Sequence, residues 1–198
     1  MITRRLGLVL MLALVAVLDV GARSGDEPRP AVADLATQRA GEGLLASYRL
    51  VECLPEEVVE RIHSGIPIRF RHQIELLEKR PGLFARDRVH ARTLIDTRVE
   101  YDSLTHRYQL NRVLEVRSRQ KRAAPPPSND QMVTGSFDEM QAWMTRFGDI
   151  ELYDPARPIP TDVELYVRVE VSLGRHWFLF VIPTTEQISS ELRLGTRQ

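Results

Sequence analysis

Histidine and cysteine are the residues of this chain best suited to nucleophilic chemistry or metal binding. The five histidines stand at positions 63, 72, 90, 106 and 176, and the single cysteine is Cys53. No two histidines have the i, i+4 spacing that places two zinc ligands on one helical face, and Cys53 has no second cysteine to pair with. We therefore predict no metal site, no cofactor and no internal disulfide, with Cys53 as a small buried apolar residue.

Paired acids are the other candidates for catalysis. Glu100 and Asp102 share one face of a predicted strand, but Asp102 also begins a turn, where aspartate binds its own backbone. The chain has no glycine-rich phosphate loop and no G-x-S-x-G motif. We therefore predict that the protein is not an enzyme, with a hydrolase of unrecognised site as an alternative.

Clustered cations define the one candidate contact site. Four of them fall within six residues, next to a proline-rich stretch, and they are Arg117, Arg119, Lys121 and Arg122. Such a patch is suited to an anionic envelope component or an acidic protein, although a charged loop is usually only solvated. Lys+Arg and Asp+Glu both total 27, so the formal net charge is zero and a general nucleic-acid binder is not expected.

Further arginines lie on the predicted outward faces of strands, where acids interleave with them. They are Arg69, Arg71, Arg92, Arg98, Arg107 and Arg112. This pattern is typical of a solvated sheet face with cross-strand ion pairs. By strand parity, His90 also points outward, whereas His72 falls on the apolar face as a core histidine.

The N-terminus is typical of a secretory signal. Arg4 and Arg5 precede an apolar run from Leu6 to Leu18, and small or modest residues follow at positions 20–22. The run is shorter than the roughly 20 residues of a membrane span. We interpret residues 1–22 as a signal peptide that sends the protein to the periplasm or cell envelope. An uncleaved signal that anchors the chain in the membrane, at least transiently, remains an alternative.

The rest of the chain divides into a tether and one domain. Residues 23–42 are small and polar with Pro28, Pro30 and Gly41, which predicts a flexible tether. Residues 43–198 are predicted to form a single domain. Its first helix carries Val58 and Ile62 on one face and ends near Gly65.

Long alternating segments dominate this domain. Even positions from 66 to 76, odd positions from 89 to 101 and odd positions from 163 to 173 are mostly apolar, as in antiparallel strands with one buried face. Residues 102–105 predict a hairpin bend. Gly174-Arg175 predicts another turn, and Pro183 is expected to end an apolar strand from residue 177 to residue 182.

A second helix follows a capping box at Ser136–Glu139. Its apolar face carries Met140, Trp143, Met144 and Phe147, which we expect to pack on the sheet. The predicted fold is α+β: a mainly antiparallel sheet with two helices packed on it. A β-sandwich with helical insertions is the alternative.

Two short motifs resemble a known family. Ser64-Gly65-Ile66-Pro67 leads into an alternating strand, and Tyr101-Asp102-x-Leu104-x-x-x-Tyr108-x-Leu110 spans the hairpin. Together they resemble the exported bacterial proteins grouped as domain of unknown function 4390, over roughly residues 44–182. The resemblance implies export and one domain, and it implies no catalytic residues.

These observations favour a non-catalytic, exported accessory or binding domain of the cell envelope. Its expected partner is an envelope protein or an anionic envelope component. One alternative is a carrier of an apolar ligand held between sheet and helix, lined by Trp143, Met144 and Phe147. The other is the hydrolase named above.

Overall fold

A computed structural model describes residues 29–40, 43–82, 85–117, 126–152, 163–178 and 182–194. These residues form two helices, α1 (Glu56–His63) and α2 (Phe137–Thr145). The strands are β1 (Ala31–Ala40), β2 (Gly43–Val51), β3 (Ile68–Glu78), β4 (Arg88–Asp102), β5 (Arg107–Arg117), β6 (Ser128–Thr134), β7 (Arg146–Glu151), β8 (Leu165–Phe178) and β9 (Ile182–Arg193).

The strands form two antiparallel sheets around one core. The smaller sheet has the order β1-β2-β7, and the larger has the order β6-β5-β4-β3-β8-β9. Both sheets and both helices contribute to one hydrophobic cluster, which includes Leu50, Ile62, Ile74, Met144 and Val169. The predicted α+β class, mainly antiparallel sheet with helices packed on it, is confirmed. The strands form two sheets rather than one, and in this respect the structure resembles the alternative prediction of a β-sandwich with helical insertions.

The central strands β3 and β4 follow the predicted parity. Phe70 and Ile74 are buried while Arg69 and Arg71 are exposed, because successive side chains of a strand point to opposite faces. The antiparallel partner of Phe70 is Thr97, which is also buried. These two strands form the frame on which the helices and the smaller sheet pack.

Both helices begin as predicted, but the second is shorter than predicted: α2 ends at Thr145, so Phe147 lies on β7 and is buried from there, while Met140 and Met144 are buried on the helix and Trp143 is partly buried. Val58 and Ile62 of α1 are buried, and Pro55 occupies the N-cap position. The Ser136 side chain accepts a hydrogen bond from the Glu139 backbone N–H, which caps α2. Met140 and Met144 of α2 are fully buried, so this helix packs on the core through its two methionine side chains.

The tether prediction for residues 23–42 is wrong where the structure describes them. Residues 31–40 form β1, which pairs antiparallel with β2 from Ala31↔Val51 to Ala40↔Gly43. Val32 and Leu35 pack against the core. Four of the ten residues of β1 are alanine, which is depleted in strands, so its own sequence does not indicate one. It is ordered by backbone hydrogen bonds to its neighbour and by these two apolar contacts.

The predicted turn at Gly174-Arg175 is also wrong. The strand β8 continues through both residues, and Gly174 takes φ +68° where the β8–β9 register shifts between Ser172 and Arg175. Glycine supplies the positive φ that a bulge needs, so the same residue that predicts a turn permits a bend within a strand. Pro183 does not end a strand but is the second residue of β9, an edge strand where proline is tolerated.

Within the ranges described, no helix is long and apolar enough to cross a membrane.

Candidate functional site

The two family-like motifs meet in space at the bend of the β4–β5 hairpin. Gly65, which follows α1 with φ +76°, lies so close to the hairpin that an added Cβ would be 3.7 Å from the Tyr101 carbonyl oxygen. His63 Nε2 and the Tyr108 hydroxyl are 2.6 Å apart, and the His63 and Tyr101 ring centroids are 5.2 Å apart. We call the exposed part of this region the hairpin-end surface, formed by His63, Ile66, Tyr101, Leu104 and His106.

The tip of the hairpin is held rigidly by Asp102. Its Oδ1 accepts a hydrogen bond from the Leu104 backbone N–H at 2.9 Å, and its Oδ2 accepts one from the Thr105 hydroxyl at 2.8 Å. The Thr105 hydroxyl and the Leu104 N–H lower the pKa of Asp102, which stays ionised. The interpretation of Asp102 as a turn residue is confirmed, and Glu100 is occupied by an ion pair with Arg98 at 2.8 Å.

This turn presents an apolar side chain to solvent. Leu104 is 92% exposed and Ile66 is 44% exposed. Behind them, the Tyr101 hydroxyl is hydrogen-bonded to His106 Nδ1 at 3.0 Å, and the Tyr101 and Tyr108 rings lie 4.9 Å apart. The surface therefore combines exposed leucine and isoleucine with fixed aromatic rings.

A third tyrosine–histidine pair lies deep between the two sheets. The Tyr48 hydroxyl is 2.9 Å from His72 Nδ1, and His72 is completely buried. Burial, and then the nearby positive Arg112, lower the pKa of His72 to about 3, while burial raises the pKa of Tyr48. Phe147 stacks on Tyr48 with ring centroids 4.8 Å apart. The prediction that His72 is a core histidine is confirmed.

Arg112 corrects one assignment made from the sequence. Arg112 is predicted from the sequence to point outward. However, Arg112 has the same even parity as the buried Tyr108 and Leu110 of β5, and its side chain lies on the core side of the sheet. Its guanidinium carbon lies 4.3 Å from the Trp143 ring centroid and 4.8 Å from that of Phe147. Burial lowers the pKa of Arg112. The alternation of β5 already contained this information.

The ligand-carrier hypothesis loses its expected location. The rings of Tyr48, His72 and Phe147 and the guanidinium of Arg112 pack on one another where the ligand was expected. A polar cleft of about 410 Å³ lies against α2, lined by residues such as Arg49, Gln141 and Arg146, and another of about 300 Å³ lies between α1 and β3. The second is lined by residues such as Cys53, Val58 and Phe70, and neither lining includes Trp143, Met144 or Phe147.

Cys53 behaves as a buried apolar residue. It is 4% exposed, and burial raises the pKa of its thiol to about 12; its own backbone hydrogen bond opposes this rise and the negative Glu52 adds to it. A thiol with so high a pKa stays protonated and is a poor nucleophile.

The outer face of the larger sheet carries the predicted cross-strand ion pairs. Arg69 Nε lies 3.0 Å from Asp96, and Arg92 lies 2.6 Å from the buried carboxylate of Glu75. Arg168 of β8 lies 2.7 Å from Glu191 of β9. These arginines are therefore engaged within the sheet.

The hydrolase alternative has one relevant feature. His90 Nε2 is 2.7 Å from Glu78 Oε2, and Arg88 lies 3.8 Å from the same oxygen. A carboxylate that orients an imidazole is a recurring acid–base unit, but it needs a nucleophile or water held by the other ring nitrogen. Among the described residues, Glu78 is the one hydrogen-bond partner of His90, and no three His, Cys, Asp or Glu side chains gather as metal ligands.

The predicted contact site cannot be placed. Arg117 is the last residue of β5, and Arg119, Lys121 and Arg122 lie outside the described residues, as do residues 1–22. The hairpin-end surface was not predicted from the sequence. The two family-like motifs that form it are separated by more than thirty residues, and their joint presence was the one indication of it.

Comparison with known proteins gives one result. No curated protein and no protein of solved structure matches the chain significantly. A family model described as Domain of unknown function (DUF4390) matches residues 28–176, which include β1 and the whole hairpin-end surface. Since this match covers well over half of the chain, the protein belongs to the DUF4390 family.

Proposed function

We propose that the protein is an exported, non-catalytic binding domain of the cell envelope that engages a partner protein through the hairpin-end surface. The observation that carries this proposal is Leu104, 92% exposed on a turn whose backbone is held by Asp102. An exposed apolar side chain on a backbone that is already fixed leaves only its own rotamers to be ordered on binding, which favours association.

The surroundings of Leu104 support a protein partner. Tyrosine is enriched in protein interfaces, and Tyr101 lies three residues before Leu104 with its hydroxyl already bonded to His106. Ile66 adds a second exposed apolar group beside the same hairpin. The partner we infer offers an apolar pocket for Leu104 with a polar rim around it.

Capture from an envelope extract tests this proposal. Wild-type mature domain, Leu104→Asp and Arg71→Asp would be used as baits, and the captured proteins quantified by mass spectrometry. We expect a specific protein with wild type and Arg71→Asp that is lost with Leu104→Asp, since both positions are exposed and only one lies on the hairpin-end surface. Equal capture by all three baits contradicts the proposal.

Export is a separate part of the proposal and rests on the sequence of residues 1–22. Leu10→Arg combined with Leu14→Arg should hold the full-length protein in the cytosol, because each arginine costs about 2.5–3.5 kcal/mol in the centre of an inserting apolar segment. Unchanged export of this variant overturns the localisation.

A second contact is proposed for the cations at 117, 119, 121 and 122, on the basis of four cations in six residues. Attraction to anionic lipid of about 1 kcal/mol per cation should weaken with salt. The test is co-sedimentation with anionic vesicles at low and high salt, beside a variant with all four changed to glutamine. Equal binding by the two proteins, or no binding by either, removes this contact.

A further inference from the structure

The four terminal strands of the two sheets differ in how their edges are protected. In β1, Asp34 has φ +53° and the β1–β2 register shifts between Ala33 and Ala36. In β7, Asp149 has φ +51°, and in β9 Pro183 is the second residue. Bulges and prolines of this kind discourage pairing with another chain.

The fourth edge, β6, has no bulge and no proline within the strand itself, although Pro126 and Pro127 directly precede it. It pairs with β5 from Tyr108↔Thr134 to Leu114↔Ser128 without a register shift. Its sequence SNDQMVT holds no proline, no lysine and no arginine, and one acid, Asp130. Val133 is 58% exposed beside this edge. A regular, nearly uncharged edge strand is a template for a further antiparallel strand.

The side-chain pattern of β6 favours a second copy of itself as the added strand. Pairing about a two-fold axis must place odd residues opposite odd residues, so that the core and outer faces stay continuous. In the register with complete overlap, Gln131 faces the partner's Gln131, Asp130 faces the partner's Met132, and Asn129 faces the partner's Val133. A shift by two residues shortens the overlap in either direction, and in one direction it also opposes the two copies of Asp130.

We propose that two copies of the chain pair antiparallel along β6 with Gln131 on the two-fold axis, which joins their two larger sheets into one. The proposal is independent of the partner-binding function, because it uses the edge of β6 and no residue of the hairpin-end surface.

Charge placed on the axis gives a specific test. Gln131→Lys and Gln131→Glu each oppose like charges across the two-fold axis, so each variant alone should be monomeric in sedimentation velocity runs up to about 1 mM protein, where the wild type dimerises. An equimolar mixture should regain the dimer, with one chain of each type. Gln109→Lys, the same change on the outer face of β5, is the matched control and should dimerise like the wild type.

Three outcomes overturn the proposal: a monomeric wild type, dimers formed by each charged variant alone, or a mixture that stays monomeric. A cross-link adds an independent measurement of register. In a Cys53→Ser background, Gln131→Cys should form a disulfide-linked dimer on oxidation, since opposite Cα atoms of antiparallel strands lie about 4.5–5.5 Å apart. Asn129→Cys, which faces the partner's Val133, should not form one, and cross-linking of both variants alike contradicts the register.

Discussion

Tyrosine–histidine hydrogen bonds occur in two regions of the molecule with opposite surroundings. The Tyr48–His72 pair is buried between the sheets, whereas the Tyr101–His106 contact is exposed at the hairpin end and the Tyr108–His63 contact beside it is part-buried. The chemistry of the bond is the same in both regions. The comparison shows that access to water decides whether such a pair holds the fold together or remains available to a partner.

Burial makes the inner pair costly to disturb. His72 is surrounded by Tyr48, Phe147 and the charge of Arg112, and its Nε2 has no hydrogen-bond partner among the described residues. A buried polar group that loses its one partner retains the full cost of leaving water. At the exposed tip of the hairpin, water can replace a lost partner of His106 or of the Tyr101 hydroxyl, so substitutions there should affect binding more than stability.

Phe147→Ala is expected to have the largest effect on stability. Its ring stacks on Tyr48 and lies 4.4 Å from the His72 ring, so its removal leaves a cavity in the centre of the inner region. We expect a loss of about 3–5 kcal/mol in the free energy of unfolding, measured by urea denaturation. Leu104→Ala, at the exposed tip, should change the same quantity by less than about 0.5 kcal/mol. Similar losses of unfolding free energy in the two variants would contradict the distinction between the inner region and the hairpin end.

Removal of one hydroxyl from each region sharpens the comparison. Tyr48→Phe leaves His72 Nδ1 buried without a partner and should cost about 1–3 kcal/mol of unfolding free energy. Tyr101→Phe removes the equivalent hydroxyl beside the exposed His106 and should cost less than about 0.5 kcal/mol. Denaturation of both variants under the same conditions measures the difference, and a larger loss for Tyr101→Phe contradicts the account.

Acid should destabilise the fold through His72. The pKa of His72 is about 3 in the folded protein against 6.5 for an ordinary histidine, so below pH 6.5 the unfolded chain binds a proton that the folded chain does not. The stabilisation is complete above pH 6.5 and is lost as the pH falls toward 3. Between pH 7.5 and 5 this amounts to about 2 kcal/mol.

The pH dependence of urea denaturation measures this effect. His72→Gln should lose that part of the pH dependence, whereas His106→Gln at the hairpin end should keep it. An unchanged pH profile in His72→Gln would show that His72 is accessible to protons in the folded state, and it would remove the distinction between the two regions.

Much of the fold was predictable because single-residue alternation is strong in the central strands. The even positions of β3 around Phe70 and the odd positions of β4 around Ile95 each predict a buried face, and the structure confirms both. The helix α1 was predictable from Val58 and Ile62 and its terminal signals. In each case the information lies within a few neighbouring residues.

What could not be predicted depends on distant contacts. The strand β1 is ordered by pairing with β2, which its own composition does not indicate. Gly174 permits a turn or a bulge equally, and only the neighbouring strand β9 decides between them. The hairpin-end surface required the positions of α1 and the hairpin together, because His63 and Tyr108 are 45 residues apart in the chain.

The most direct test of the proposed function is photo-cross-linking in living cells that express the protein. A photoreactive residue would replace Leu104 in one strain and Arg71, exposed on the outer face of the larger sheet, in another. We expect one specific protein adduct at position 104, absent at position 71, that disappears when Ile66→Asp is added. No adduct at position 104, or the same adducts at both positions, would contradict the assignment of the hairpin-end surface as the binding site.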